Sequence, residues 1–288
     1  EGKEPDSERT EDMGGKLFRK LVESYDSRDE ALRHFIQAYL ASIASVDEQV
    51  GRILDVIDST ELKDNTIIVL TSDHGWGMGE KDYLYKNSLW QESTRIPLIV
   101  RAPGIAPAET ICSKPVSLVD IYPTLSDLCD LEGDTMKNEK GRPLDGHSFR
   151  PLLENPARGT WTGPDEALTA LYKWRMKYDP HNESYSLRSN DWRYIRYENG
   201  KEELYNTASD PNEWKNLATE AQHSHEVNRL RQVLASRLPE KDVVPPQPQW
   251  KAPGKPEPKS NEYWKNLYFK KNPDADSDKD GTLSWPEL

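Results

Sequence analysis

Asp73, His74 and Lys86 stand out by residue type and spacing. The β-branched run 66–71 gives way within two residues to Asp73-His74-Gly75, and Lys86 follows Asp73 by thirteen positions. In open α/β sheets, ligands gather beyond the carboxyl ends of strands, where the next loop begins. A carboxylate and an imidazole side by side at such a tip can hold a divalent metal, and Gly75 and Gly77 let the backbone turn tightly around it. Lys86 can return to the same place as a point charge for an anionic group. On the dipeptide alone the plainer account is a polar turn, with Asp73 capping the next element and His74 at the surface.

A second constellation closes the chain. Residues 276–287 read Asp-Ser-Asp-Lys-Asp-Gly-Thr-Leu-Ser-Trp-Pro-Glu. Asp276, Asp278 and Asp280 fall at positions 1, 3 and 5 of a twelve-residue EF-hand loop. Gly281 stands at the sharp turn, Thr282 offers its carbonyl at position 7, and Glu287 supplies the bidentate closure. This spacing predicts calcium binding. Pro273 would cut short an entering helix, so the expected role is to order the tail.

The elements that must position these groups follow from periodicity. Ser27 and Glu30 form a capping-box pattern before a helix whose apolar residues recur from Leu32 to Ile57 at spacings of three and four. Strands are predicted over 66–71 and 96–100, apolar enough to be covered on both faces. Asp120 is placed to cap a short helix carrying Ile121, Leu125 and Leu128, and Cys129 reads as a small core residue on it. Beyond residue 160 the pattern changes to short antiparallel strands over 167–173, 185–188, 192–197 and 202–205, with Asn199-Gly200 as a hairpin turn. Val227, Leu230, Leu234 and Leu238 mark one amphipathic helix. Seven prolines between 239 and 259 read as a stiff linker. The expected organisation is an α/β sheet portion over 1–160, a small antiparallel-sheet subdomain over 161–238, the linker over 239–259 and a partial calcium loop over 260–288.

The 288 residues carry a net charge of −12. A nucleic-acid partner would need a basic footprint, so that class is excluded. An anionic substrate would have to be drawn by a local basic pocket or a metal, because the global field repels it. No apolar run approaches membrane-spanning length. Two cysteines are too few for a disulfide framework.

Several motifs in order carry a family resemblance. They are Tyr39-Leu40-Ala41-Ser42, Val46-Asp47, Gln49-Val50-Gly51-Arg52, Thr71-Ser72-Asp73-His74-Gly75, Gly79-Glu80, Lys86, Arg95-Ile96-Pro97-Leu98 and Asp120-Ile121-Tyr122-Pro123-Thr124-Leu125. Ser186-Leu187-Arg188-Ser189, Trp192-Arg193-Tyr194-Ile195, Glu203-Leu204-Tyr205 and Asp210-Pro211-Asn212-Glu213-Trp214 continue them. Residues 30–220 thereby resemble the C-terminal part of a sulfatase of the alkaline-phosphatase-like superfamily, an α/β fold, and the Asp-His pair is similar to the iduronate-2-sulfatase-like branch. The resemblance implies a sulfuric ester hydrolase acting on sulfated sugar or polysaccharide, with Asp73 and His74 as ligands of a catalytic calcium and Lys86 touching the sulfate. It also implies a periplasmic, secreted or lysosomal setting.

The departures are equally informative. The family's nucleophile is a formylglycine made from cysteine in Cys-x-Pro-x-Arg, and Cys112 sits instead in Cys-Ser-Lys-Pro. The expectation is that the nucleophile and two further metal-binding aspartates belong to an N-terminal half upstream of Glu1, without which this chain is inactive. Tyr185 stands where related sequences often carry a histidine. A phosphodiesterase or phosphonate hydrolase of the same superfamily, or a non-catalytic calcium-binding module, remains open beside the sulfatase reading.

Overall fold

Ser27 starts the longest helix as its spacing predicts. In the computed structural model, which describes residues 12–131, 143–172 and 179–240, the Ser27 hydroxyl accepts a hydrogen bond from the Glu30 amide at 3.2 Å. Helix α2, Arg28–Asp58, runs for 31 residues from that cap. Ahead of it lies α1, Met13–Val22, whose Asp12 carboxylate accepts from the Gly14 and Gly15 amides at 3.0 and 3.2 Å. Arg28 ties the start of α2 to the following loop through Asp82 at 2.9 Å.

The two apolar strands form a pair. β1, Ile68–Thr71, runs antiparallel to β4, Leu98–Arg101, in the register Ile68 opposite Arg101 and Thr71 opposite Leu98. Between them, β2 (Gly77–Met78) and β3 (Leu84–Tyr85) make a short antiparallel hairpin, and α3 occupies Gln91–Thr94. The expectation that these strands are covered on both faces is not met among the described residues. Leu70 is 39% and Ile99 59% exposed. The apolar stripe of α2 is uncovered too, with Ile43, Val46 and Ile53 at 48%, 61% and 60%.

Asp120 is buried at the head of α4, Ile121–Leu128. Its carboxylate accepts from the Ser117 amide at 2.7 Å and the His147 amide at 2.8 Å, so it fastens a distant loop and, against the expectation, makes no side-chain cap to α4. Cys129 is exposed just past the last turn of α4, not in the core. The short α5, Arg150–Glu154, follows.

The second half is a four-stranded antiparallel meander: β5 Ala167–Leu171, β6 Ser184–Arg188, β7 Trp192–Arg196 and β8 Glu202–Asn206. Gly200 takes φ +81° in the β7–β8 hairpin, a conformation that side chains with Cβ rarely adopt. One sheet face packs Tyr185, Leu187, Tyr194 and Leu204 against Val227, Leu230 and Leu234 of α6, Ser224–Arg237. The other packs Ile195 and Tyr205 against Tyr83, Leu89 and Trp90. The meander therefore braces the segment that bears Lys86. All described residues belong to one compact unit, Glu1–Lys241. The calcium-loop positions Asp276, Asp278, Asp280, Thr282 and Glu287 lie outside the described residues.

Candidate active site

β1 ends at Thr71 and its tip delivers Asp73 and His74. The turn is held from within by the Ser72 hydroxyl donating to the His74 carbonyl at 2.8 Å, and from outside by the Gly75 amide donating to the Ser93 carbonyl at 2.9 Å. A Cβ on Gly75 would stand 2.0 Å from the Glu92 carbonyl oxygen, so only glycine permits this approach of the turn to α3.

His74 Nδ1 lies 2.8 Å from the Gly75 carbonyl oxygen. A carbonyl only accepts, so this bond puts the proton of the neutral ring on Nδ1 and leaves the Nε2 lone pair free. That Nε2 stands 3.6 Å from Asp73 Oδ2, with the carboxylate 83% exposed. A carboxylate oxygen and an imidazole nitrogen thus stand close together at the strand tip.

The β2–β3 hairpin reverses the chain and brings Lys86 back to the same side. Trp76 and Tyr85 pack edge to face across it at 5.1 Å. Asp73, His74 and Lys86 line one cavity of about 1510 Å³, walled by apolar residues of β4 and β5. This volume exceeds the ~300–1,000 Å³ of ordinary ligand pockets. The three side chains that sequence spacing singled out therefore line one cavity. Among the described residues no group of three or more His, Cys, Asp or Glu could hold a metal, so Asp73 and His74 fit a metal as part of a ligand set and do not complete one. Calcium takes six to eight oxygen ligands.

The sequence reading did not single out Arg193 and Glu213. Both are fully buried, and Arg193 Nε is ion-paired with the Glu213 carboxylate. Arg193 also donates to the Leu89 carbonyl at 3.3 Å and to the Ser186 hydroxyl at 2.9 Å, while Glu213 accepts from the Gln91 amide at 3.0 Å. The pair bolts the meander to the 86–91 segment. Tyr185 points away from the cavity, into the core beneath α6, with its hydroxyl donating to the Pro180 carbonyl at 2.8 Å. Arg95 and Arg188 also line the cavity. Their only sequence signal was membership of the motif runs.

Known proteins resemble this chain in sequence and in fold. Residues 13–131 match the Sulfatase family model, and residues 79–240 match the model for the C-terminal part of N-sulphoglucosamine sulphohydrolase. A sulfatase of Formosa agariphila is 35% identical over 202 residues, which cover 70% of this chain and 36% of that protein. The solved structure of BT4656 in complex with its substrate D-glucosamine-2-N,6-O-disulfate superposes with a TM-score of 0.64 at 28% identity, over 73% of this chain and 41% of that one. The phosphonate monoester hydrolase of Agrobacterium radiobacter gives a TM-score of 0.58 at 28% identity, over 67% and 39%. The chain spans about a third of the length of the curated relatives it matches. With a family model matched along more than half of its residues and an α/β fold shared with solved sulfatases, the chain belongs to the sulfatase family.

Proposed function

We propose that this chain supplies the metal-facing and sulfate-facing side of a sulfuric ester hydrolase acting on sulfated carbohydrate, of the iduronate-2-sulfatase-like type. The observation that carries the reading is the convergence of Asp73, His74 and Lys86 on one cavity in a chain of this family. Asp73 and His74 Nε2 would hold calcium together with ligands from outside these residues, and calcium there supplies Lewis-acid polarisation of the sulfate oxygens. Lys86 neutralises charge that develops on the sulfate or on the departing sugar oxygen. The formylglycine nucleophile is proposed to come from an N-terminal half that also covers the apolar face of α2, since neither Cys112 nor Cys129 stands in the required motif. The sugar reading is supported by the glucosamine disulfate bound by BT4656. The two-part division at about residue 160, the calcium-binding tail loop and a periplasmic, secreted or lysosomal setting belong to the same proposal. No helix among the described residues is long and apolar enough to cross a membrane.

The similarity to a phosphonate monoester hydrolase favours one rival, phosphoryl or phosphonyl transfer at the same site. Assay of the full-length protein on 4-nitrophenyl sulfate and 4-nitrophenyl phosphate separates the two. The expected result is faster sulfate hydrolysis, with kcat for the sulfate falling about a hundredfold in Lys86→Ala. Faster phosphate hydrolysis would replace this reading with the rival.

A further inference from the structure

Tyr85 stands immediately before Lys86 with φ +94°, in the left-handed region that a bulky side chain enters only under constraint. Such a backbone persists where the surroundings over-determine it, and it gathers at sites that need a fixed geometry. Here it changes which side of the hairpin a side chain takes. Side chains alternate along a strand, and the β2–β3 ladder sets Gly77 opposite Tyr85 and Met78 opposite Leu84. Continued one step, regular alternation would place Trp76 and Lys86 together on one face, with the Tyr85 ring on the other. The structure has another arrangement. The Tyr85 ring meets Trp76 edge to face, with centroids 5.1 Å apart and planes at 76°. Lys86 lines the cavity with Asp73 and His74, whereas neither Trp76 nor Tyr85 lines it.

Two sets of neighbours hold the Tyr85 ring. Trp76 leads back two residues to His74, whose ring centroid lies 6.5 Å from that of the indole. The cluster of Tyr83, Leu89, Trp90, Ile195 and Tyr205 also packs against Tyr85. Gly77 makes the room for this fold-back. It is buried, and a Cβ there would stand 3.0 Å from the Tyr83 carbonyl oxygen and 3.4 Å from that of Tyr85. One aromatic contact thus joins the turn bearing Asp73 and His74 to the residue that precedes Lys86. A lysine is a point charge on a flexible four-carbon stem, so its aim depends on how firmly its backbone is fixed.

We propose that the left-handed Tyr85, clasped by Trp76, is a positioning residue. It turns the chain so that Lys86 enters the cavity, and it acts through Lys86 without touching the substrate. The proposal rests on the reading that Lys86 contacts the anionic ester.

Steady-state kinetics of the full-length protein, on whichever 4-nitrophenyl ester it hydrolyses, test this. A preference for phosphate therefore leaves the measurement intact. Tyr85→Gly accepts the positive φ without penalty and removes the ring, so the backbone is kept while the clasp is lost. It is expected to lower kcat about tenfold, the scale of a modest misplacement of a reacting group. Tyr85→Phe, which keeps the ring, should restore kcat to within about twofold of the unaltered protein. A residue that acts through Lys86 has nothing left to contribute once Lys86 is gone. Tyr85→Gly added to Lys86→Ala is therefore expected to leave the residual kcat unchanged. Equal losses with and without Lys86, as a general scaffold role predicts, would overturn the proposal. So would an unchanged kcat in Tyr85→Gly. Should Tyr85→Gly fail to fold, Trp76→Leu removes the other half of the clasp and enters the same cycle with the same two outcomes. A Lys86→Ala variant with unaltered kcat would remove the Lys86 reading itself, and the clasp's role with it.

Discussion

Glu213 carries more of the site's geometry than any residue that spacing singled out. It is fully buried, pairs with Arg193, and receives the Gln91 amide at 3.0 Å, so one carboxylate joins the meander to the segment after Lys86. Removing it strands a buried guanidinium, which costs about 3–5 kcal/mol in such settings. Glu213→Ala is therefore expected to lower the urea midpoint strongly, and Glu213→Gln, which keeps an acceptor, to lower it less. Equal midpoints for Glu213→Ala and the unaltered chain would remove this role. Sequence reading passed over the pair because the two residues are twenty positions apart and share no periodicity. Asp73 and His74 were legible because they follow a strand with a clear end, and Lys86 because of its spacing from Asp73 within the ordered motifs. The tautomer of His74 was not, since it depends on where the Gly75 carbonyl points.

At the scale of elements, α2 shows how spacing and burial separate. The capping serine, the start of the helix and the three-and-four stripe all follow from the sequence. Which surface the stripe meets does not. Ile36, Tyr39, Leu40, Ile43, Val46 and Ile53 are between 38% and 61% exposed. A contiguous apolar face of this kind marks an interaction surface. The purified 288-residue chain is expected to raise the fluorescence of a hydrophobic dye such as ANS. The double variant Ile43→Glu and Ile53→Glu should lose much of that signal while its far-ultraviolet circular dichroism stays helical. An unaltered chain that leaves the dye dark would show the face to be covered. α1 escaped the sequence reading because Gly14 and Gly15 lower its helix propensity by about 1 kcal/mol each. Its Asp12 cap and the burial of Phe18 compensate.

For the whole molecule, the candidate residues fall in two stretches far apart in the sequence. Asp73, His74 and Lys86 belong to the described unit Glu1–Lys241, whereas the proposed calcium-loop positions, 276–287, lie outside the described residues. If the proposed tail loop binds calcium, its heats should vanish in Asp278→Ala while thermal unfolding of the chain in calcium-free buffer stays unchanged. Identical heats in both chains would dispose of the loop as a site. The sequence by itself determined the family, the order of elements and the residues at the strand tip, because these depend on local spacing and on motifs in order. The tertiary structure alone decided that Tyr185 turns into the core and that Arg193 reaches the Leu89 carbonyl. Those are contacts between segments far apart in the chain, set by the packing of the meander against the 83–90 segment, which no local pattern encodes.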